Sequence, residues 1–76
     1  MEVNLEYIRK KFGENLERLR VEKDLSQDVL GIKCGFKDGS QISKWERGVS
    51  DIKLSRIIGL SKVLEVDPKD LLDFKI

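Results

Sequence analysis

The sequence contains no histidine and one cysteine, Cys34. A single cysteine cannot form an intramolecular disulfide, and a zinc site would lack its usual ligands. We therefore expect no metal and no other cofactor. No apolar run approaches the roughly 20 residues that a membrane span needs, and the charges near the N-terminus are not followed by the hydrophobic region of a signal peptide. We expect a soluble protein that stays inside the cell.

The usual catalytic arrangements are missing as well. The sequence has no pair of activated cysteines, no glycine loop of the phosphate-binding type and no acid pair in an evident pocket. We therefore expect no enzyme activity.

The composition is that of one small globular domain spanning residues 1–76, with 39% hydrophobic and 38% charged residues. The net charge is only +1, which by itself does not indicate a nucleic-acid-binding protein. Between Lys37 and Arg56, however, five bases stand against three acids. This segment is the positive end of a weak charge asymmetry.

Apolar residues at three- and four-residue steps predict helices and no strands. The first helix runs over about 5–23 after the N-cap Asn4, and the second over about 27–34 after the N-cap Ser26. The third extends from a cap at Asp38 to about Arg47, and the fourth follows a cap at Ser50 or Asp51. The segment "DPKD" at 67–70 predicts a fifth helix, because an N-cap aspartate, a proline and a second acid stand at its start.

Several single residues carry structural expectations. Asp24 is expected in a left-handed conformation at the end of the first helix. On the second helix, Val29, Leu30 and Cys34 are expected to be buried, and Gly31 should allow another helix to approach closely. Ile42, Trp45 and Leu54 are also expected in the core.

If Ile42 and Trp45 face the core, the opposite face of the third helix is polar. Its outward residues are then Gly39, Ser40, Ser43, Lys44 and Arg47. A short polar face of this kind suits a helix lying in the major groove of DNA, where hydroxyl and ammonium groups contact base edges.

The stretch "LSQDVLGIKCGF" followed by "SQISKWERG" resembles the helix-turn-helix of the phage-repressor and Cro family, the lambda-repressor-like or XRE family. The similarity extends to "FGENLERLRVEKDLS" before the motif and to "KLSRIIGLSKVLEVDPKDLL" after it. The resemblance implies an all-α, compact five-helix domain with the motif at about residues 26–48. It also implies the prokaryotic cytosol or nucleoid as location.

The resemblance assigns roles residue by residue. Base-reading positions would be Gly39, Ser40, Gln41, Ser43 and Lys44. Phosphate contacts would come from Gln27, Lys37, Arg47, Ser50, Lys53 and Arg56, with Gln27 also bracing the third helix. Arg20 and Glu46 match a partly buried ion pair of the family. The turn "FKDGS" is one residue longer than is common, and Gly39, without a side chain, could instead approach a phosphate through its backbone.

These features predict a transcriptional regulator that binds double-stranded DNA at a palindromic operator as a homodimer. Phage repressors, restriction-modification controllers and antitoxins all fit this description. We expect Phe74 and Ile76 to form the dimer contact, since little chain remains to cover them. The alternative is an adaptor that uses the same fold to bind a protein partner, such as a toxin or a polymerase subunit, without reading DNA.

Overall fold

The protein is described by a computed structural model covering residues 2–76, and this part of the chain contains five α-helices and no strand. The helices are α1 (Leu5–Glu22), α2 (Gln27–Lys33), α3 (Ser40–Glu46), α4 (Leu54–Leu64) and α5 (Pro68–Leu71). The predicted all-α, five-helix architecture is thereby confirmed.

One apolar core holds the helices together. Nine buried side chains form it, contributed by all five helices: Phe12, Leu16, Leu19, Leu30, Ile42, Trp45, Leu60, Leu64 and Leu71. Because α2 and α3 are each only seven residues long, they would not be stable as isolated helices. Their positions depend on packing, of α3 against α1 and of α2 against α3.

The predicted helix ends are largely correct. The Asn4 side chain accepts a hydrogen bond from the Tyr7 N–H at 2.9 Å, and Ser26 accepts one from the Val29 N–H at 3.0 Å. Asp24 has a φ of 57° and so adopts the expected left-handed conformation. At α5, Asp67 and Asp70 form the reciprocal capping box.

The start of α4 differs from the prediction of a cap at Ser50 or Asp51. The N-cap is Lys53, because the loop before it is held extended against α3 by a 3.1 Å hydrogen bond from Trp45 Nε1 to the Asp51 carbonyl. The Asp51 carboxylate instead lies 3.7 Å from Nε of Arg9 in α1.

Two predicted core residues lie on the surface. Leu54 is 71% exposed, because α4 starts later than predicted and Leu54 occupies its first turn, away from Leu60 and Leu64. Val29 is 41% exposed, since α2 turns Leu30 and Gly31 inward instead. Ile42 and Trp45 are buried as expected.

A buried amide joins the first helix to the last. Asn15 donates through Nδ2 to the carbonyls of Asp70 and Leu71, both at 2.8 Å, and accepts from Arg18 at 2.6 Å. The Asp70 carbonyl also accepts from the Asp73 N–H at 3.4 Å, so the Leu71 carbonyl is the one that depends on Asn15 for a partner. Asn15 thus fixes α5 and the C-terminal segment on α1.

Candidate nucleic-acid interface

Two glycines allow α2 and α3 to pack closely. A Cβ on Gly31 would collide with the backbone of Asp38, and one on Gly39 would collide with the backbone of Gln27. The close approach predicted at Gly31 is confirmed, although its nearest neighbour is the turn at Asp38 and not a helix. Gly39 is a second such contact that the sequence reasoning did not identify.

Two aspartates hold the turn that leads into α3. Asp28 in α2 accepts a 2.8 Å hydrogen bond from the Gly39 N–H. Asp38 Oδ1 accepts from the Ser40 N–H at 2.9 Å and from the Ser40 hydroxyl at 2.6 Å. The N-cap position is Gly39 rather than the predicted Asp38, although the Asp38 side chain does bind the first turn of α3. The turn between α2 and α3, which is one residue longer than is common, is therefore held in place by side-chain hydrogen bonds.

This arrangement changes the role expected for Gly39. The residue is buried, so the prediction that it faces outward is wrong. Its N–H is occupied by Asp28, which leaves no free donor there for a phosphate. Gly39 sets the distance between α2 and α3, and we remove it from the base-reading candidates.

The other end of α3 is held by a network of charged and amide groups. Arg20 Nε lies 2.6 Å from Glu46 Oε2, which forms the predicted ion pair. The Gln27 amide donates to Glu46 Oε1 at 2.8 Å, and so braces α3 as the family pattern implies. The hydrogen bond with Glu46 raises the pKa of Arg20, although partial burial acts in the opposite direction. Arg20 therefore remains charged and holds the end of α3 against α1.

The outward face of α3 carries the remaining base-reading candidates. Ser40 and Lys44 are exposed, while Gln41 and Ser43 are half-buried. Arg47, just after the helix, is exposed and donates from Nε to Ser43 Oγ at 3.2 Å. Ile42 and Trp45 fix the opposite face in the core, which determines the direction of these polar side chains.

A groove beside α3 brings together three of the predicted phosphate contacts. Ser50, Lys53 and Arg56 line it together with Gln41, whose amide lies 3.1 Å from Ser50 Oγ. The Arg56 guanidinium is stacked 4.5 Å from the centre of the Phe36 ring, which itself packs edge-on against Trp45. The loop and the start of α4 therefore extend the polar surface of α3.

The basic residues of this surface are available for an external anion. Lys37, Lys44, Arg47, Lys53 and Arg56 are all exposed, and none of them forms an ion pair within residues 2–76. Two of the three acids of the same segment are paired with bases outside it, Glu46 with Arg20 and Asp51 with Arg9. The surface is therefore more positive than the net charge suggests.

Cys34 lies half-buried at the end of α2, next to this surface. Burial raises the pKa of its thiol, and the nearby Arg56 opposes the rise only partly. A thiol of this kind is a weak nucleophile at neutral pH, because the thiolate is the reactive form.

The two residues predicted to form a dimer contact differ in their surroundings. Ile76 is 79% exposed, whereas Phe74 is half-buried and packs against the core. Other apolar side chains of α4 and the C-terminal segment are exposed, namely Leu54, Ile58 and Leu72. The apolar surface here is larger than the two residues predicted from the sequence.

Residues 2–76 show neither a membrane-spanning helix nor a metal-binding cluster. No helix there is long and apolar enough to cross a membrane. No group of three acidic or cysteine side chains in that range could hold a metal ion.

Most of the chain matches a known protein family. The family model described as "Helix-turn-helix" matches residues 16–71, which include α2, the anchored turn, α3 and the groove. The chain belongs to this helix-turn-helix family. Membership confirms the resemblance to the phage-repressor and Cro type and the expectation of a DNA-binding transcriptional regulator.

The similar proteins are named as control proteins or as a transcription factor. The control protein C.BamHI of Bacillus amyloliquefaciens is 41% identical over 68 residues, covering 88% of this chain and 83% of that protein. The crystal structure of the restriction-modification controller protein C.AhdI from Aeromonas hydrophila matches with a TM-score of 0.85 and 33% identity, over 91% of this chain and 99% of that one. A hypothetical transcription factor, NHTF from Neisseria, matches with a TM-score of 0.79 and 30% identity, over 95% and 82%.

Proposed function

We propose that this protein binds a specific palindromic operator in double-stranded DNA as a homodimer and thereby controls transcription of restriction-modification genes. In this proposal α3 lies in the major groove. Ser40, Gln41, Ser43 and Lys44 contact base edges, while phosphate contacts come from Lys37, Arg47, Ser50, Lys53 and Arg56.

The main support for the proposal is the polar face of α3, a helix that is held in place at both ends. Both ends of the helix are fixed, by Asp28 at the start and by Arg20 and Gln27 at Glu46. Fixed side chains lose less conformational freedom on binding, so their contacts contribute more to affinity. The free basic side chains around the helix supply the charge that attracts the DNA backbone.

Gln27 has a narrower role here than the family pattern implied. Its amide nitrogen already donates to Glu46, so it holds the end of α3. We therefore assign Gln27 a structural role at the end of α3. The second N–H of its amide would be available for a phosphate contact.

The small size of the domain and its exposed apolar surface support the proposed homodimer. One short helix contacts only a few base pairs, and two-fold related copies double the sequence that is read. Ile76, Leu72, Ile58 and Leu54 are the apolar residues available for such a contact on α4 and the C-terminal segment. Phe74 packs against the core and would contribute to the dimer contact only through its exposed part.

The controller role rests on the relatives. C.BamHI and C.AhdI are both named as control proteins, which favours this role over a phage repressor or an antitoxin. Such a regulator acts in the cytoplasm and needs no enzyme activity. The adaptor alternative has no comparable support, although a protein partner in addition to DNA is compatible with the fold.

The salt dependence of binding tests the proposal. Fluorescence anisotropy with a labelled random-sequence duplex, between about 50 and about 200 mM salt, should give an association constant whose logarithm falls by about 0.9 per phosphate neutralised for each tenfold increase in salt. An adaptor would not bind the duplex at any of these concentrations. Absence of binding by the folded protein at about 50 mM salt would contradict the proposal.

A further inference from the structure

A short hydrogen bond fixes the direction of one hydroxyl on the proposed DNA-reading face. Ser40 is the first residue of α3 and is exposed, and its Oγ lies 2.6 Å from Asp38 Oδ1. The same carboxylate oxygen accepts the Ser40 backbone N–H at 2.9 Å. Two bonds from one residue therefore hold Asp38 against Ser40.

The proton in this contact belongs to Ser40. Its side-chain and backbone hydrogen bonds to Asp38 lower the pKa of the Asp38 carboxyl, and the neighbouring Lys37 acts in the same direction. The carboxyl is therefore ionised at neutral pH, and an ionised carboxylate can only accept. The single proton of the Ser40 hydroxyl must point at Asp38.

This assignment changes what Ser40 can offer to a base. A free serine hydroxyl can donate or accept, and so contacts several bases. With its proton committed, the Ser40 oxygen presents only lone pairs to the outside. The second carboxylate oxygen of Asp38 is also only an acceptor. The start of α3 is therefore a small acceptor-only surface.

Base edges in the major groove differ in this respect. Adenine presents its N6 amino group and cytosine its N4 amino group as donors, whereas guanine O6 and thymine O4 are acceptors. We propose that the Asp38–Ser40 pair determines sequence specificity, by selecting an adenine or a cytosine at the base that Ser40 faces. This inference rests on the proposed function, because it requires α3 to lie in the major groove.

The test begins with selection of bound sequences from a random duplex library, carried out with the wild-type protein and with Ser40→Ala, Asp38→Ala and Asp38→Asn. Ser40→Ala should lose the preference at one base pair of each half-site and keep the others. Asp38→Ala frees the hydroxyl to donate, so guanine or thymine should be accepted there. Asp38→Asn can still accept both bonds through its amide oxygen, and should keep the wild-type preference.

A duplex lacking the amino group gives the direct measurement. The selected adenine is replaced by purine, or the selected cytosine by pyrimidin-2-one. The wild-type protein should bind this duplex about 3- to 10-fold more weakly, as for the loss of one hydrogen bond. Ser40→Ala should bind both duplexes equally. Glu6→Ala is the matched control, since it removes one exposed carboxylate from the first turn of α1, and it should behave as the wild type.

The possible failures are distinct. If the wild-type protein enriches no sequence, the proposed function is overturned and this inference with it. If a motif is enriched but Ser40→Ala selects it unchanged, or the affected position prefers guanine or thymine, only the inference is overturned. Equal relaxation in Asp38→Ala and Asp38→Asn would also overturn it, because charge rather than hydroxyl direction would then set the preference. If Asp38→Ala fails to fold, Ser40→Ala and the modified duplex still test the inference.

Discussion

The Glu46 carboxylate at the end of α3 lies 2.6 Å from Nε of Arg20 in α1, and only 3% of the Glu46 side chain is exposed. The pair joins the proposed DNA-reading helix to the longest helix of the domain. Because Glu46 also accepts from Gln27, it connects α1, α2 and α3 at one point.

Removing this carboxylate should destabilise the whole domain. Glu46→Ala removes the closest carboxylate from Arg20, whose side chain is only 11% exposed, and we expect the free energy of unfolding to fall by about 3 kcal/mol. Glu17→Ala is the control, because Glu17 is an exposed acid 3.9 Å from the same guanidinium and should cost about 1 kcal/mol or less. Urea unfolding followed by circular dichroism measures both. Similar small losses in the two variants would refute a structural role for the Glu46 pair.

Asn15 should also contribute to stability, through α5. Asn15→Ala leaves the Leu71 carbonyl without its partner and the Asp70 carbonyl with only the 3.4 Å hydrogen bond from the Asp73 N–H, at an expected cost of about 1 to 3 kcal/mol. Asn15→Asp is a useful comparison, since it keeps the size of the side chain but removes the donor. Both variants should lower the urea midpoint; a wild-type midpoint for Asn15→Asp would show that the two donated bonds contribute little.

Two lysines should affect DNA binding differently. Lys44→Ala should weaken binding to the selected operator by about 1 to 3 kcal/mol and relax the preference at one base pair, because an ammonium group on α3 contacts a base edge. Lys53→Ala should weaken operator and random duplexes alike and reduce the salt dependence.

Anisotropy titrations on both duplexes separate these effects. Lys69→Ala, an exposed lysine of α5, serves as the charge-matched control and should resemble the wild type. If Lys44→Ala lost affinity equally on all sequences, Lys44 would be a phosphate contact and the assigned face of α3 would be wrong.

Self-association should depend on the exposed apolar residues near the C-terminus. Ile76→Ser and Leu72→Ser should each shift the equilibrium towards the monomer, since each removes apolar area from the contact without entering the core. A truncation after Leu72 would be less informative, because it also removes Phe74 from the core. Val3→Ser is the control, as Val3 is similarly exposed at the other end of the chain. Sedimentation equilibrium measures the change, and unaltered dimerisation in both C-terminal variants would place the contact elsewhere.

Cys34 should react slowly with alkylating reagents. Burial raises the pKa of its thiol, so the folded protein holds less thiolate at about pH 8 than the unfolded chain does. The rate with iodoacetamide should therefore be lower in the folded protein, and should increase as the pH is raised further. A folded-state rate equal to that in urea would contradict the assignment.

The sequence predicted the features that depend on local pattern. Asn4, Ser26 and Asp67 were identified as caps because capping needs only a side-chain oxygen at one position relative to the helix. The ion pair of Arg20 with Glu46 followed from the family resemblance, not from spacing, since 26 positions separate the two residues.

Features set by tertiary packing were not predicted. The late start of α4 depends on the hydrogen bond from Trp45 Nε1 to the Asp51 carbonyl, which no local sequence pattern indicates. The burial of Gly39 depends on how α2 and α3 cross. Because the turn between them is one residue longer than is common, the sequence did not predict this crossing. The hydroxyl direction at Ser40 likewise required the position of Asp38 in space.

Selection of bound sequences from a random duplex library, with the purified wild-type protein at moderate salt, tests the central claim most directly. We expect an enriched palindrome whose half-sites are about one helical turn, roughly 10 base pairs, apart. It would show that the protein reads sequence and does so as a two-fold dimer. A folded protein that enriches no sequence would contradict the account and direct attention to a protein partner instead.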